Sequence, residues 1–377
     1  MRSRGEMDKI DSRVISALTR SSKISNGLAS VLSTSEQKVE ALVRVRNPIQ
    51  LGLLERQFDV IACYPFIRSV GIRCGIGDAL TLERMSEVEY VSAQGKAFTL
   101  EKEFAASNAF NYPIPQLSKG LDGNGVTLCV MDTGVSPHLD LSVPKERIIG
   151  AVDMINGEIE PYDDNGHGTF VAGVACGNGI CSKRQIVGVA PKANVLSVKV
   201  IEDKGESGTF KILDGMQWLF DNFRRYGVRV VCMSFGAEPL EYADPLKMGA
   251  EMLSRSGLIV VVASGNSGDN TLKSPAISQE VISVGAVDCQ NVVAPFTSRG
   301  TYMGAKRPDL YAQGVSVQGL KRGGVYTMMS GTSVSAPYVA GACCLLCQKY
   351  RGLTPYQAKL ALINECIDVD GNMILRL

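Results

Sequence analysis

Leu258-Ile259-Val260-Val261-Val262-Ala263 is apolar at every position. A strand with one wet face alternates apolar and polar residues, so an unbroken run of this kind belongs to a strand buried on both faces. Such burial requires helices above and below a parallel sheet. The surrounding sequence supplies them. Short β-rich runs at 125–131, 194–200, 229–233 and 281–287 alternate with helical stretches at 167–176, 210–226 and 244–256. From about residue 118 onward the pattern predicts one α/β domain, a parallel sheet with helices on both faces.

Upstream the pattern changes. Residues 39–46 read as a strand stopped by Asn47-Pro48, 49–55 as a short helix, and 58–74 as two strands split around Tyr64-Pro65. Residues 78–86 have helical spacing and 88–91 read as a strand. The order β-α-β-β-α-β is the ferredoxin-like arrangement of a small α+β domain. Residues 1–38 read as a polar helical extension. The expected domains are therefore 1–38, 39–100 and 101–377.

Lys plus Arg number 39 and Asp plus Glu 38, so the 377-residue chain carries a net charge of +1. That balance gives no global drive toward nucleic acid or an anionic membrane, and neither is expected as a partner. No apolar run exceeds the six residues quoted above, far below the ~20 of a membrane helix. Acidic residues interrupt the opening Met1-Arg2-Ser3-Arg4-Gly5-Glu6 and no apolar segment follows, which argues against a secretory signal. The 11 cysteines are odd in number and many lie in apolar segments, the pattern of free thiols in a reducing compartment. A cytoplasmic protein is expected.

Only two histidines exist, His138 and His167, so any imidazole chemistry must use one of them. His167 lies in Asn165-Gly166-His167-Gly168-Thr169, where flanking glycines expose the ring at a helix start. His138 reads as a loop residue, and Asp163 and Asp164 as a solvated loop. Asp132 ends an apolar strand in Met131-Asp132-Thr133-Gly134, and sites of parallel sheets gather at the carboxyl ends of strands. An aspartic-protease reading of Asp-Thr-Gly fails, because no second such motif supplies the partner carboxylate. Ser333 lies in Ser330-Gly331-Thr332-Ser333-Val334-Ser335-Ala336-Pro337 ahead of an apolar helix. There it could be a cap, or a nucleophile helped by N-terminal N–H groups. Cys344-Leu345-Leu346-Cys347 reads as core, since no second Cys pair or nearby His completes a zinc set.

Asp132 in Asp-Thr-Gly, His167 in His-Gly-Thr and Ser333 in Gly-Thr-Ser-x-x-x-Pro, in that order, resemble the subtilisin family over about residues 118–370. Ala263-Ser264-Gly265-Asn266-Ser267-Gly268 is similar to that family's oxyanion segment. Glu160-Pro161-Tyr162-Asp163-Asp164-Asn165-Gly166-His167 looks most like the intracellular bacterial members. The resemblance implies a serine endopeptidase with Asp132, His167 and Ser333 as catalytic residues and Asn266 as oxyanion donor. It implies peptide binding along Ser234, Phe235 and Gly236, along Ala263, Ser264 and Gly265, and at Gly205 and Gly208. Residues 39–100 resemble the family's inhibitory propeptide, which implies a self-processed zymogen. An apolar residue before the cut leaves Phe98 and Leu100 as candidates, and the length of family propeptides favours cleavage between Leu100 and Glu101. Its partners would be protein or peptide substrates and its own propeptide-like domain. No cofactor is implied. Secreted members hold a structural calcium, but residues 177–187 lack their Asn-rich loop and no site is identifiable. The competing class is a catalytically silent subtilase that binds or regulates a partner.

Overall fold

The structure, a computed structural model, describes residues 23–34, 38–101, 120–240 and 243–376. Most of the segment read as a polar extension lies outside these residues. Two units divide at Gly95 and Lys96.

The first unit contains α1 (Asn26–Thr34), β1 (Val39–Val45), α2 (Leu51–Gln57), β2 (Val60–Tyr64), β3 (Ser69–Cys74), α3 (Ile76–Arg84) and β4 (Val88–Ala93). Its sheet has the order β2-β3-β1-β4 with every pair antiparallel, the ferredoxin-like topology. Asn47 ends the first strand by capping the turn that follows, its side chain taking the Ile49 N–H while Gln50 reaches back to the Asn47 N–H. Leu28 and Leu32 of α1 join Val43, Val70, Ile72 and Leu82 in one core. That helix is therefore part of the small fold, which a domain start at residue 39 leaves out.

The second unit opens with β5 (Lys96–Thr99) and continues through β6 (Thr127–Asp132), α4 (Leu139–Ser142), β7 (Ile148–Asp153), α5 (His167–Cys176), β8 (Asn194–Lys199), β9 (Glu206–Gly208) and α6 (Thr209–Asn222). Then come β10 (Val228–Met233), β11 (Phe235–Ala237), α7 (Pro245–Arg255), β12 (Ile259–Ala263) and β13 (Ile282–Val287). Two short hairpin strands, β14 (Gly300–Tyr302) and β15 (Ala305–Arg307), precede β16 (Leu310–Gln313), β17 (Val317–Lys321) and β18 (Val325–Met329). The unit closes with α8 (Thr332–Lys349), α9 (Pro355–Asn364), β19 (Cys366–Val369) and β20 (Asn372–Leu375). Nine strands form the main sheet in the order β19-β20-β16-β13-β12-β10-β6-β8-β7, parallel except for the terminal β19–β20 hairpin. Every residue of β6, β12 and β13 is buried. α8 is buried from Thr332 to Cys347, which explains its lack of any polar stripe and makes its cysteines core.

Strands β6 and β10 are neighbours whose onward connections leave in opposite directions, toward β7 and β12 respectively. The crevice at their carboxyl ends is where an open α/β sheet can receive a ligand.

Candidate active site

Asp132 is the last residue of β6 and is fully buried. His167 opens α5, and its Nδ1 lies 2.7 Å from Asp132 Oδ1. That approach needs glycine at two positions. Gly166 turns the chain into the helix at φ +111, and a Cβ on Gly168 would stand 2.0 Å from the Gly134 carbonyl oxygen.

Asp163, read from sequence as solvated, is only 4% exposed. Its Oδ1 accepts from Thr133 Oγ1 (2.9 Å), Asn165 N (3.1 Å) and Gly166 N (2.7 Å). Its Oδ2 accepts from Thr169 N (2.9 Å) and Thr169 Oγ1 (2.7 Å). One carboxylate thus joins the turn after β6 to the start of α5, where helix N–H groups favour negative charge. Lys199 does related work from β8. Its buried Nζ donates to the Thr133 and Ile201 carbonyls at 2.7 and 2.9 Å and pairs with Asp164 at 2.7 Å.

Ser333 is the second residue of α8. Four residues on, Pro337 has no N–H to give the Ser333 carbonyl, and Ser234 Oγ, just past β10, donates to it at 3.0 Å. Asn266 is oriented by Thr332, whose N–H and Oγ1 both donate to Asn266 Oδ1 at 2.9 Å. The amide nitrogen must then face the other way. Asn266 Nδ2 donates to the Leu100 carbonyl oxygen at 2.5 Å, and the Ser333 N–H donates to the same oxygen at 3.3 Å.

The chain delivers that carbonyl itself. β5 lies antiparallel between β11, pairing Phe235 with Thr99 and Gly236 with Phe98, and β9, pairing Gly208 with Lys96 and Ser207 with Ala97. The pairing continues as Thr99 N donates to the Gly205 carbonyl at 2.8 Å and Leu100 N to the Ser234 carbonyl at 3.3 Å. The Leu100 side chain is buried, and a Cβ on Gly236 would sit 3.1 Å from its Cδ1. Ala263 ends β12, Ser264 is buried beside it, and Gly265 N donates to Thr332 Oγ1 at 3.2 Å. Of the residues designated from sequence, Asn266, Ser333, Ser234 and Gly236 meet Leu100, Phe235, Gly205 and Gly208 pair along β5, and Asp132 pairs with His167. Thr332 and Lys199 were given no role of their own from sequence, and Asp163 was read only as part of a solvated loop. Asp163 carried a signal in retrospect, since an Asp two and three residues ahead of Asn165 and Gly166 is placed for an Asx-type turn. Thr332 and Lys199 carried none.

Just past Leu100, Glu101 Oε2 stands 3.8 Å from His167 Nε2. These two atoms and Ser333 Oγ are buried without a hydrogen-bond partner among the described residues. Burial disfavours the His167 imidazolium, but the charge and hydrogen bond of Asp132, then the charges of Glu101 and Asp163, outweigh it and push the pKa up to about 9.

Around the loop at 177–187, Asp140 already accepts the Cys181 N–H and the Tyr326 hydroxyl, and the Asn178 and Ser182 side chains are taken up by backbone groups. This does not fit calcium, which takes roughly six to eight oxygens. His138, expected in a loop, caps α4 and is buried; with Asp140 and Cys181 it brings three donor groups within 4.8 Å. Its Nδ1 accepts the Asp140 N–H at 3.1 Å, so the ring proton sits on Nε2 and neither nitrogen is left to ligate a metal.

The buried Asp132–His167 pair, and the Leu100 carbonyl held by Asn266 and the Ser333 N–H, thus belong to a mostly parallel α/β sheet whose strands end at a ligand-receiving crevice. The chain belongs to the subtilase family of serine endopeptidases: the profile described as "Subtilase family" matches residues 123–376. It is 39% identical over 275 residues to serine protease AprX of Bacillus subtilis, covering 65% of this chain and 62% of that one. It is 33% identical over 318 residues to alkaline elastase YaB of a Bacillus species, covering 84% and 78%. Its fold is similar to that of fervidolysin from Fervidobacterium pennivorans, with a TM-score of 0.73 at 23% identity over 89% of this chain and 58% of that one. A cold-adapted subtilisin-like serine proteinase aligns with a TM-score of 0.59 at 28% identity over 73% and 93%. The chain thus spans less than two thirds of AprX and of fervidolysin. Among the described residues no helix is long and apolar enough to cross a membrane.

Proposed function

We propose that this chain is a serine endopeptidase whose first substrate is its own Leu100–Glu101 bond. The observation that carries the reading is the Leu100 carbonyl oxygen, held by Asn266 Nδ2 at 2.5 Å and by the Ser333 N–H at 3.3 Å. Those two donors are what a tetrahedral oxyanion needs at that position. His167 Nε2 takes the Ser333 hydroxyl proton as Oγ attacks the Leu100 carbonyl carbon, while Asp132 fixes the tautomer and stabilises the imidazolium. The Leu100–Glu101 C–N bond then breaks, His167 returns the proton to the Glu101 amine, and water releases the acyl group from Ser333. Later substrates would replace β5 as an added strand between β9 and β11. Leu100 packed beside Gly236 supports cleavage after apolar residues.

The small unit before Gly95 then serves as the propeptide-like partner. All 11 cysteines are free, which supports a reducing, cytoplasmic setting. A fluorophosphonate probe should label wild type at Ser333 and leave Ser333→Ala unlabelled and full length. N-terminal sequencing of active protein should begin at Glu101. A folded protein that never labels, or a Ser333→Ala variant that processes itself equally well, refutes the reading.

A further inference from the structure

The residue that follows the proposed cleavage point is a carboxylate facing the base. Glu101 Oε2 is 3.8 Å from His167 Nε2, and neither atom has a hydrogen-bond partner among the described residues. Nε2 is the atom that must be free of its proton to deprotonate Ser333. Ser333 Oγ is also buried and partnerless beside the held Leu100 carbonyl. Attack therefore has its acceptor and oxyanion donors in place, while the imidazole faces a negative charge that favours its protonated form.

We propose that Glu101 is a brake on the chain's own cleavage: its carboxylate pairs with the His167 imidazolium and withholds the base until the pH rises or the segment departs. This rests on the self-cleavage reading above and assigns its regulation to one side chain. The charges facing His167 come from three places: Asp132 at the end of β6, Asp163 ahead of α5 and Glu101 after β5. The first two belong to the lasting architecture. Only Glu101 leaves when its bond is cut and the new N-terminus moves away, so the brake releases itself after one turnover. The same contact would disfavour acidic residues just after the cleaved bond in other substrates.

The size of the effect follows from distance and screening. A unit charge about 4 Å away shifts a pKa by roughly one unit in water and by about three near a protein surface. The Glu101 side chain is 32% exposed, which puts the shift toward the lower end, about one pH unit. Removing the charge should therefore move the acid limb of processing down by about one unit. Below the limb, where the neutral imidazole is the minor form, processing should run about tenfold faster.

The test uses the full chain. Denatured wild type, Glu101→Gln and Glu101→Asp are diluted into buffers across the pH range, and cleavage is followed on gels with the site fixed by mass spectrometry. Glu101→Gln should cut at the same bond with its acid limb lowered, whereas Glu101→Asp should stay closer to wild type. In parallel, Ser333→Ala and Ser333→Ala/Glu101→Gln are titrated by NMR. With only two histidines in the chain, the His167 ring signals can be followed beside those of His138. The His167 midpoint should fall by about one unit in the double variant while that of His138 stays put. Cutting by all variants with superimposed pH profiles overturns the brake and leaves the protease reading standing. No cutting or labelling by any variant overturns both.

Discussion

Replacing Asp163 by Asn tests the joint between the Asp132 turn and the His167 helix. The native carboxylate accepts five hydrogen bonds, three on Oδ1 and two on Oδ2, and donates none. An amide of the same shape must turn its NH2 toward one of those sets. The less costly orientation faces it toward Thr169, whose hydroxyl can reverse and accept while its backbone N–H cannot. One charged acceptor bond is then lost outright, and the remaining four are made to a neutral oxygen or a rearranged hydroxyl. At about 1.5–3 kcal/mol for a hydrogen bond to a charged group, plus the repulsion of two opposed donors, the expected loss is roughly 3 kcal/mol. The assay can be confined to the second unit, because the chain's single tryptophan, Trp218, lies in α6. In a Ser333→Ala background, urea unfolding followed by Trp218 fluorescence should show the midpoint lowered with little change in slope. Asp164→Asn is the control, since Asp164 is a third exposed and its side chain pairs with Lys199 alone among the described residues. A loss below about 0.5 kcal/mol for Asp163→Asn, or an equal loss for both variants, would refute the argument.

Three further outcomes are expected. Asn266→Ala should lower kcat by about 10²–10³, a magnitude known for the oxyanion donor of subtilisin itself, with little change in KM; an unchanged kcat removes Asn266 from the oxyanion site. Gly331→Ala should fold yet neither process nor label, because its Cβ would lie 2.3 Å from the Leu100 oxygen and 3.1 Å from Ser333 Oγ; normal labelling would show the site can widen. The third concerns pH. His167 is raised from 6.5 to about 9, so its contribution to the stability of the uncut Ser333→Ala chain should be full below about pH 6.5 and lost as pH rises through about 9. Activity runs the opposite way, since the neutral imidazole is the base. Stability that climbs between pH 6.5 and 9, compared with an Asp132→Asn control, would contradict the ion-pair assignment.

Periodicity and local motifs reach a definite depth in this chain. The unbroken apolar run at 258–263 is enough to demand a strand covered on both faces, because no other arrangement hides six consecutive apolar side chains in a strand. Asp-Thr-Gly, His-Gly-Thr and Gly-Thr-Ser mark the ends of elements, where turn geometry and chemistry share a few consecutive residues. These were legible in order along the chain. The strands at Ile148–Asp153 and Leu310–Gln313 were not singled out, the first being half-exposed and the second only four residues long.

What the tertiary structure alone decided are the contacts between residues far apart in sequence. Asp163 and Asp164 are adjacent carboxylates of one polar loop, yet folding buries the first among five donors and leaves the second beside Lys199. Thr332 orients Asn266 across a separation of 66 residues, and the Leu100 carbonyl reaches that amide across 166. Glu101 meets His167 only because β5 is gripped between β9 and β11. A local pattern encodes which face of a strand or helix is apolar, since that depends on near neighbours. Which atoms become each other's solvent is set when the sheet closes, and the charge of the base is settled there.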